Sequence, residues 1–202
     1  MKYDPNIHHR RSVRLRGYDY GKEGMYFITI CTQNRVHFFG EVENGIMILN
    51  PFGEIAYRDW EKLPERWPHV ELGAFQIMPN HMHGILLIHR PVSAVTNIET
   101  GTTIVVAPND VVAPNTVNSP EYPFSKIQWA TRPYLGQIIG AYKSTVSTAC
   151  LNYHKQNQPG VWLDKIWQRG FDERLVRDVG AFDNISTYII NNMGNWESDK
   201  NF

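Results

Sequence analysis

Cysteine is scarce in this chain of 202 residues: Cys31 and Cys150 are the only two. Two cysteines so far apart exclude a disulfide framework and a cysteine-based zinc site. Long apolar runs are also missing. None approaches the roughly 20 residues of a membrane-spanning helix. Residues 1–10, MKYDPNIHHR, lack the apolar stretch of a secretory signal, so a reducing cytoplasm is the expected setting. Charge of one sign is not in excess either, with 20 Lys plus Arg against 20 Asp plus Glu. That balance argues against binding a bulk polyanion through overall charge. What is present is the composition of a globular protein, 42% hydrophobic and 20% charged, long enough for one generous domain with a real core.

Charge is unevenly distributed along the chain. Arg10, Arg11, Arg14 and Arg16 crowd a basic N-terminal arm (1–22) with Lys2 and Lys22, opposed by Asp4 and Asp19. A second basic set, Arg169, Arg174 and Arg177, is interspersed with Asp172, Glu173 and Asp178. Each set can neutralise a few phosphates, or can equally be a solvated surface. Between about 91 and 123 the composition turns to Thr, Val, Asn and Pro, with a direct repeat VVAPN at 105–109 and 111–115. Two short copies do not make a solenoid, and a flexible insertion in a single domain is expected.

The elements follow from pattern and punctuation. Met25–Thr32 is aromatic and β-branched, as in a central strand. A turn region begins at Asn34-Arg35, and Gly45–Leu49 reads as a short strand. Asn50 and Pro51 start a helix whose apolar positions are Phe52, Ile55, Ala56, Trp60 and Leu63. Residues 75–88, FQIMPNHMHGILLI, form two strands about a Pro79-Asn80 turn. A long helix is expected from a Thr131 cap with Pro133 in its first turn and a stripe of Leu135, Ile138, Ile139, Tyr142, Val146, Ala149, Cys150 and Tyr153. Further extended structure covers 166–168 and 171–176, where Gln168 beside Trp167 bridges sheet and helices. A last helix runs from about Val179 to Asn192 on Phe182, Ile185 and Ile189. Without regular βαβ alternation, this order implies an α+β domain with an antiparallel sheet.

Two places carry chemistry. His81 and His83, at i and i+2 of a strand, project from one face and can share a divalent metal; a pair of ordinary buried histidines is the alternative. Tyr188 and Asn192, at i and i+4 of the last helix, share a face. A phenol is a weak nucleophile at neutral pH, but a metal on the histidines can polarise a phosphate for it, with Asn192 as a third, oxygen ligand.

Several segments resemble one family. They are Arg10–Tyr20 (RRSVRLRGYDY), Tyr26–Asn34 (YFITICTQN), Met78–Gly84 (MPNHMHG), Ile138–Ser144 (IIGAYKS), IWQ at 166–168 with Arg177, and Tyr188–Asn192 (YIINN) followed by Trp196. In this order and spacing they cover most of the chain outside 91–123 and resemble the REP-associated tyrosine transposase branch of the single-tyrosine HUH transposases. The resemblance implies a ferredoxin-like or RNA-recognition-like α+β fold whose sheet displays the histidine pair. It also implies strand transfer on single-stranded, hairpin-bearing DNA through a 5′-phosphotyrosine. Tyr188 becomes the nucleophile; His81, His83 and Asn192 become the ligands of Mg²⁺ or Mn²⁺. Arg10, Arg11, Arg14, Arg16, Lys143, Arg169 and Arg177 become candidate DNA contacts. Hairpin DNA is the expected partner, with a homodimer an open option and no membrane. The chain departs from the family at Met193, where a proline is usual, and at Asp172 and Arg174, where an aromatic and often a histidine are expected. A non-catalytic hairpin-binding module on the same fold is the competing reading, and a two-histidine metallohydrolase a third.

Overall fold

The computed structural model describes residues 23–89, 94–96, 103–105 and 134–198. Arg10, Arg11, Arg14, Arg16 and Thr131 lie outside them. Strand β1 (Gly24–Cys31) alternates with period two, and its Tyr26, Ile28 and Ile30 are fully buried on one face. It runs antiparallel to β5 (His81–Ile88) on one side and to β8 (Asp172–Val176) on the other. Strand β4 (Val70–Met78) completes a four-stranded sheet in the order β4-β5-β1-β8. With helix α1 (Pro51–Glu61) preceding β4 and helix α3 (Leu135–Asn157) preceding β8, this is the βαββαβ order of a ferredoxin-like sheet. The α+β class and the antiparallel sheet expected from the sequence are both present.

Helices α1 and α3 cover one face of the sheet. Trp60, Ala56, Ile138, Ile139, Tyr142 and Val146 meet Tyr26, Ile28, Ile30, Met82 and Leu86 in one core. Polar groups cross-link it: the Tyr142 hydroxyl donates to the Ala56 carbonyl at 3.0 Å. Arg66, from the short helix α2 (Leu63–Arg66), and Thr145 of α3 both donate to Asp59 of α1. As its sequence predicts, Asn50 caps α1, accepting from the amides of Phe52 and Gly53 while its own amide holds the Phe38 carbonyl.

Three local details differ from the sequence reading or extend it. The Asn34 turn region leads into a hairpin, β2 (Gly40–Glu43) with β3 (Ile46–Leu49), where the sequence pattern marks only the second strand. Asn44 and Gly45, at φ 51° and 75°, make its turn in the left-handed region that suits those two residues. Helix α3 starts at Leu135 rather than around Pro133. The Gln137 side chain accepts from the Tyr134 amide at 3.2 Å, so a glutamine inside the first turn supplies the cap expected from a threonine before it. The segment after α3 bridges as expected: the Gln168 amide donates to the Cys31 carbonyl of β1 at 2.9 Å, and the Gln168 carbonyl accepts from Lys143 of α3 at 2.7 Å, while the Trp167 indole donates to the Lys143 carbonyl at 3.2 Å.

The chain divides into two compact units, Met1–His89 with Pro133–Phe202, and Arg90–Arg132. Within the second, β6 (Ala94–Thr96) pairs antiparallel with β7 (Thr103–Val105). No helix among the described residues is long and apolar enough to cross a membrane.

Gly84 is where the sheet and the helix layer come closest. A Cβ there would lie 2.5 Å from Cζ2 of Trp60, a fully buried ring wedged against Tyr142 and Phe75. Gly84→Ala is therefore expected to cost about 1–3 kcal/mol, as overpacking does. The check is a lower urea midpoint at unchanged m-value; an unaltered midpoint would contradict this packing.

Candidate active site on the open face of the sheet

The alternation that buries Met82 and Gly84 under Trp60 turns His81 and His83 to the opposite face. Directly opposite them on β1 stand Cys31 and Thr29, and on β4 stand Met78 and Gln76. Helix α4 (Val179–Asn191) covers part of this face, capped by the Asp178 side chain on the Ala181 amide. Gly73 permits the approach: a Cβ there would come within 2.9 Å of Ile85 and 3.2 Å of Phe182. Phe182 and Ile185 are half-buried and Ile189 is fully buried, as the stripe in the sequence predicts.

One turn of that helix brings the nucleophile candidate to the histidines. The Tyr188 hydroxyl lies 3.4 Å from Nε2 of His83, within the same chain and across 105 residues of sequence. The Tyr188 side chain remains 44% exposed, open to a large substrate. Phe27 stacks on His83 at 5.2 Å and meets Tyr188 edge-on at 6.2 Å, so one ring orients both. The two imidazoles stand 4.6 Å apart, and Trp196 stacks on His81 at 5.9 Å.

Each imidazole is held through its Nδ1. The Asn80 side-chain oxygen lies 2.8 Å from Nδ1 of His81 and accepts its proton, which makes Nε2 the unprotonated nitrogen. Thr29 Oγ1 lies 2.9 Å from Nδ1 of His83, whose Nε2 faces Tyr188. Burial, then the neighbouring His83 and the Arg35 charge, push His81 down to about 2. Burial and the Arg174 charge bring His83 down to about 4, partly offset by a hydrogen bond to the Ile28 backbone. Both rings are therefore neutral at pH 7, the form a metal ligand needs.

Asn192 sits one turn beyond Tyr188, 2% exposed, and its Oδ1 has no hydrogen-bond partner among the described residues. A buried carbonyl oxygen left in that state is a fitting metal ligand. No cluster of three or more His, Cys, Asp or Glu side chains able to hold a metal occurs among the described residues. The side chains that could hold a divalent ion here are His81 and His83 through Nε2, with Asn192 as an oxygen candidate.

The cationic candidates separate. Lys143 is a structural tie, donating to the carbonyls of Gln168 and Gly170 at 2.7 Å each, and burial lowers its ammonium to about 8. Arg169 and Arg177 are exposed. By strand register Arg169 precedes the end of β8 that pairs with Thr29, beside the histidines, whereas Arg177 follows the end that pairs with Met25. The four residue steps between those ends span roughly 13 Å. Thr29, Asn80 and Phe27 were not singled out from the sequence. A polar residue at an outward position of a central strand was the only signal for Thr29, and its partner depends on a register that the sequence does not display.

No family model matches the chain. A protein of Haemophilus influenzae, described only as uncharacterized, is 34% identical over 199 residues, 98% of this chain and 96% of its own length. A solved structure of a REP-associated tyrosine transposase bound to a REP hairpin superposes over 94% of this chain and 75% of its own, with a TM-score of 0.51 and 17% identity. The fold, an antiparallel sheet with packed helices, is thus similar to that of the solved transposase. The chain belongs to the family of the Haemophilus influenzae protein.

The neutral histidines set a pH dependence. Unfolded histidine titrates near 6.5, above the folded values of about 4 and about 2. Below about 6.5 the unfolded chain binds protons that the folded one refuses, so these groups make stability fall with falling pH; above about 7 they contribute no slope. In the presence of a chelator, the free energy of urea unfolding should be lower near pH 5 than near pH 7.5. His81→Gln/His83→Gln should show a shallower slope across that window. Equal slopes would exclude buried neutral histidines.

Proposed function

We propose that this protein is a metal-dependent DNA strand transferase that uses Tyr188 to cleave and rejoin single-stranded DNA beside a hairpin. The observation that carries this reading is the 3.4 Å approach of the Tyr188 hydroxyl to a buried, neutral histidine pair on the same chain. The tyrosine oxygen bonds to phosphorus of the scissile phosphodiester as the bond from phosphorus to the 3′-oxygen breaks. The phenol proton passes to solvent, and the departing 3′-oxygen takes up a proton to become a hydroxyl. The 5′-phosphate then remains on Tyr188 as a phosphodiester of similar energy, so attack by a 3′-hydroxyl rejoins the strand and releases the tyrosine.

The residues around Tyr188 have distinct tasks. Phe27 holds the phenol ring edge-on beside His83, which favours in-line approach to a bound phosphate. Thr29 and Asn80 fix the imidazoles so that the two Nε2 atoms and the Asn192 oxygen can hold the metal. Mg²⁺ or Mn²⁺, when bound there, would supply Lewis-acid stabilisation of charge on the phosphate. A 44% exposed tyrosine on the rim of a sheet suits an extruded single strand, whose backbone can be presented without a duplex in the way. Hairpin recognition draws its support from the shared fold, because the solved transposase carries a REP hairpin.

The test is a pool of labelled DNA hairpins with randomised single-stranded flanks, incubated with protein and Mn²⁺ and then denatured. A covalent protein–DNA adduct is expected, and it should vanish in Tyr188→Phe. His81→Ala/His83→Ala should lower its rate by roughly 100-fold or more, the scale seen when a group stabilising transition-state charge is removed. Asn192→Ala should lower it by roughly 10- to 100-fold. Hairpin binding without any adduct would favour a non-catalytic module, and cleavage without an adduct a hydrolase.

A further inference from the structure

Strand β8 carries a cation onto the active face that the family resemblance does not call for. Its residues pair with β1 in the register Met25↔Val176, Phe27↔Arg174 and Thr29↔Asp172. Directly opposed residues of an antiparallel pair point to the same face, so Arg174 emerges beside Phe27 on the side of the sheet that carries the histidines. Phe27 is the ring that touches both His83 and Tyr188. Glu173, in contrast, turns to the other face and is buried opposite Ile28.

We propose that Arg174 binds the DNA phosphate presented to Tyr188. The inference rests on the strand-transferase reading for the identity of the ligand, a phosphodiester of single-stranded DNA. Three observations carry it. Arg174 is exposed, and among the described residues it makes no hydrogen bond or ion pair that would occupy its guanidinium. Asp172, its neighbour on the same strand face, is not salt-bridged to it. Across the β1–β8 pair Arg174 stands directly opposite Phe27, which puts its guanidinium on the same sheet face as the ring that touches both His83 and Tyr188. A planar guanidinium can also bind two oxygens of one phosphate at once, which a lysine cannot.

The test separates this role from the tyrosine chemistry. Binding of the hairpin pool is measured by fluorescence anisotropy in a Tyr188→Phe background, over a series of salt concentrations. Loss of one phosphate contact on a single strand should reduce the slope of log affinity against log salt by about 0.7. Arg174→Ala should show that reduction with an unchanged thermal midpoint, and Arg174→Lys should restore the slope. In the protein that retains Tyr188, Arg174→Ala should lower the rate of adduct formation by roughly 100-fold, with only partial rescue by Arg174→Lys. An unchanged salt slope in Arg174→Ala overturns the inference whatever the adduct assay gives. Absence of an adduct in the unsubstituted protein overturns the tyrosine reading instead, while the binding slope still decides the role of Arg174.

Discussion

The pairing of β1 with β5 is the constraint on which the rest depends. Its register sets Thr29 against His83 and Cys31 against His81, while Ile28 and Ile30 oppose Gly84 and Met82 on the reverse side. A strand with both faces covered has no tolerant direction, because a shift by one residue would drive two imidazoles into the Trp60 core and turn Met82 to the histidine face. The hydrophobic layer therefore positions the chemistry. Burial of Met82, Leu86 and Ile88 beneath α1 and α3 leaves His81 and His83 a single orientation. On that opposite face their own burial, against Phe27 and Trp196, holds them neutral.

Much of this was legible in the sequence wherever the signal was local. The Asn50-Pro51 start of α1, the hairpin around Pro79-Asn80 and the α4 stripe each depend on residues a few positions apart, and each appears as read. Helix α3 starts later than read because Gln137, inside the helix, closes the first turn on the Tyr134 amide. The hairpin strand β2 escaped because Gly40–Glu43 offers only four residues of weak alternation. Non-local contacts outside the family pattern were not legible. That Thr29 bonds His83, that Phe27 spans His83 and Tyr188, and that Arg174 shares their face all follow from strand register. Asp172 and Arg174 could be seen as departures from the family pattern, but their facing could not.

The polar shell also explains how a soft arrangement of rings becomes a defined site. His81 is gripped by Asn80 at Nδ1 and stacked by Trp196; His83 is gripped by Thr29 and stacked by Phe27. Each imidazole thus has a bond at Nδ1 and a stacked ring, which together set its tautomer and its plane. The resemblance in fold to the hairpin-bound transposase, at 17% identity, concerns this framework of sheet and helices.

The close fit of Gly84 against Trp60 has a bearing on how the protein can change over generations. His81, His83 and Gly84 occupy one short stretch of a strand that serves packing and chemistry on alternate residues. Insertions or deletions there would destroy both at once, whereas exchange of a histidine side chain would spare the core. Descendants that abandon the proposed DNA cutting can therefore keep the whole framework, and their status would be written in a handful of letters, at 81, 83 and 188, with length and fold carrying no trace of the loss.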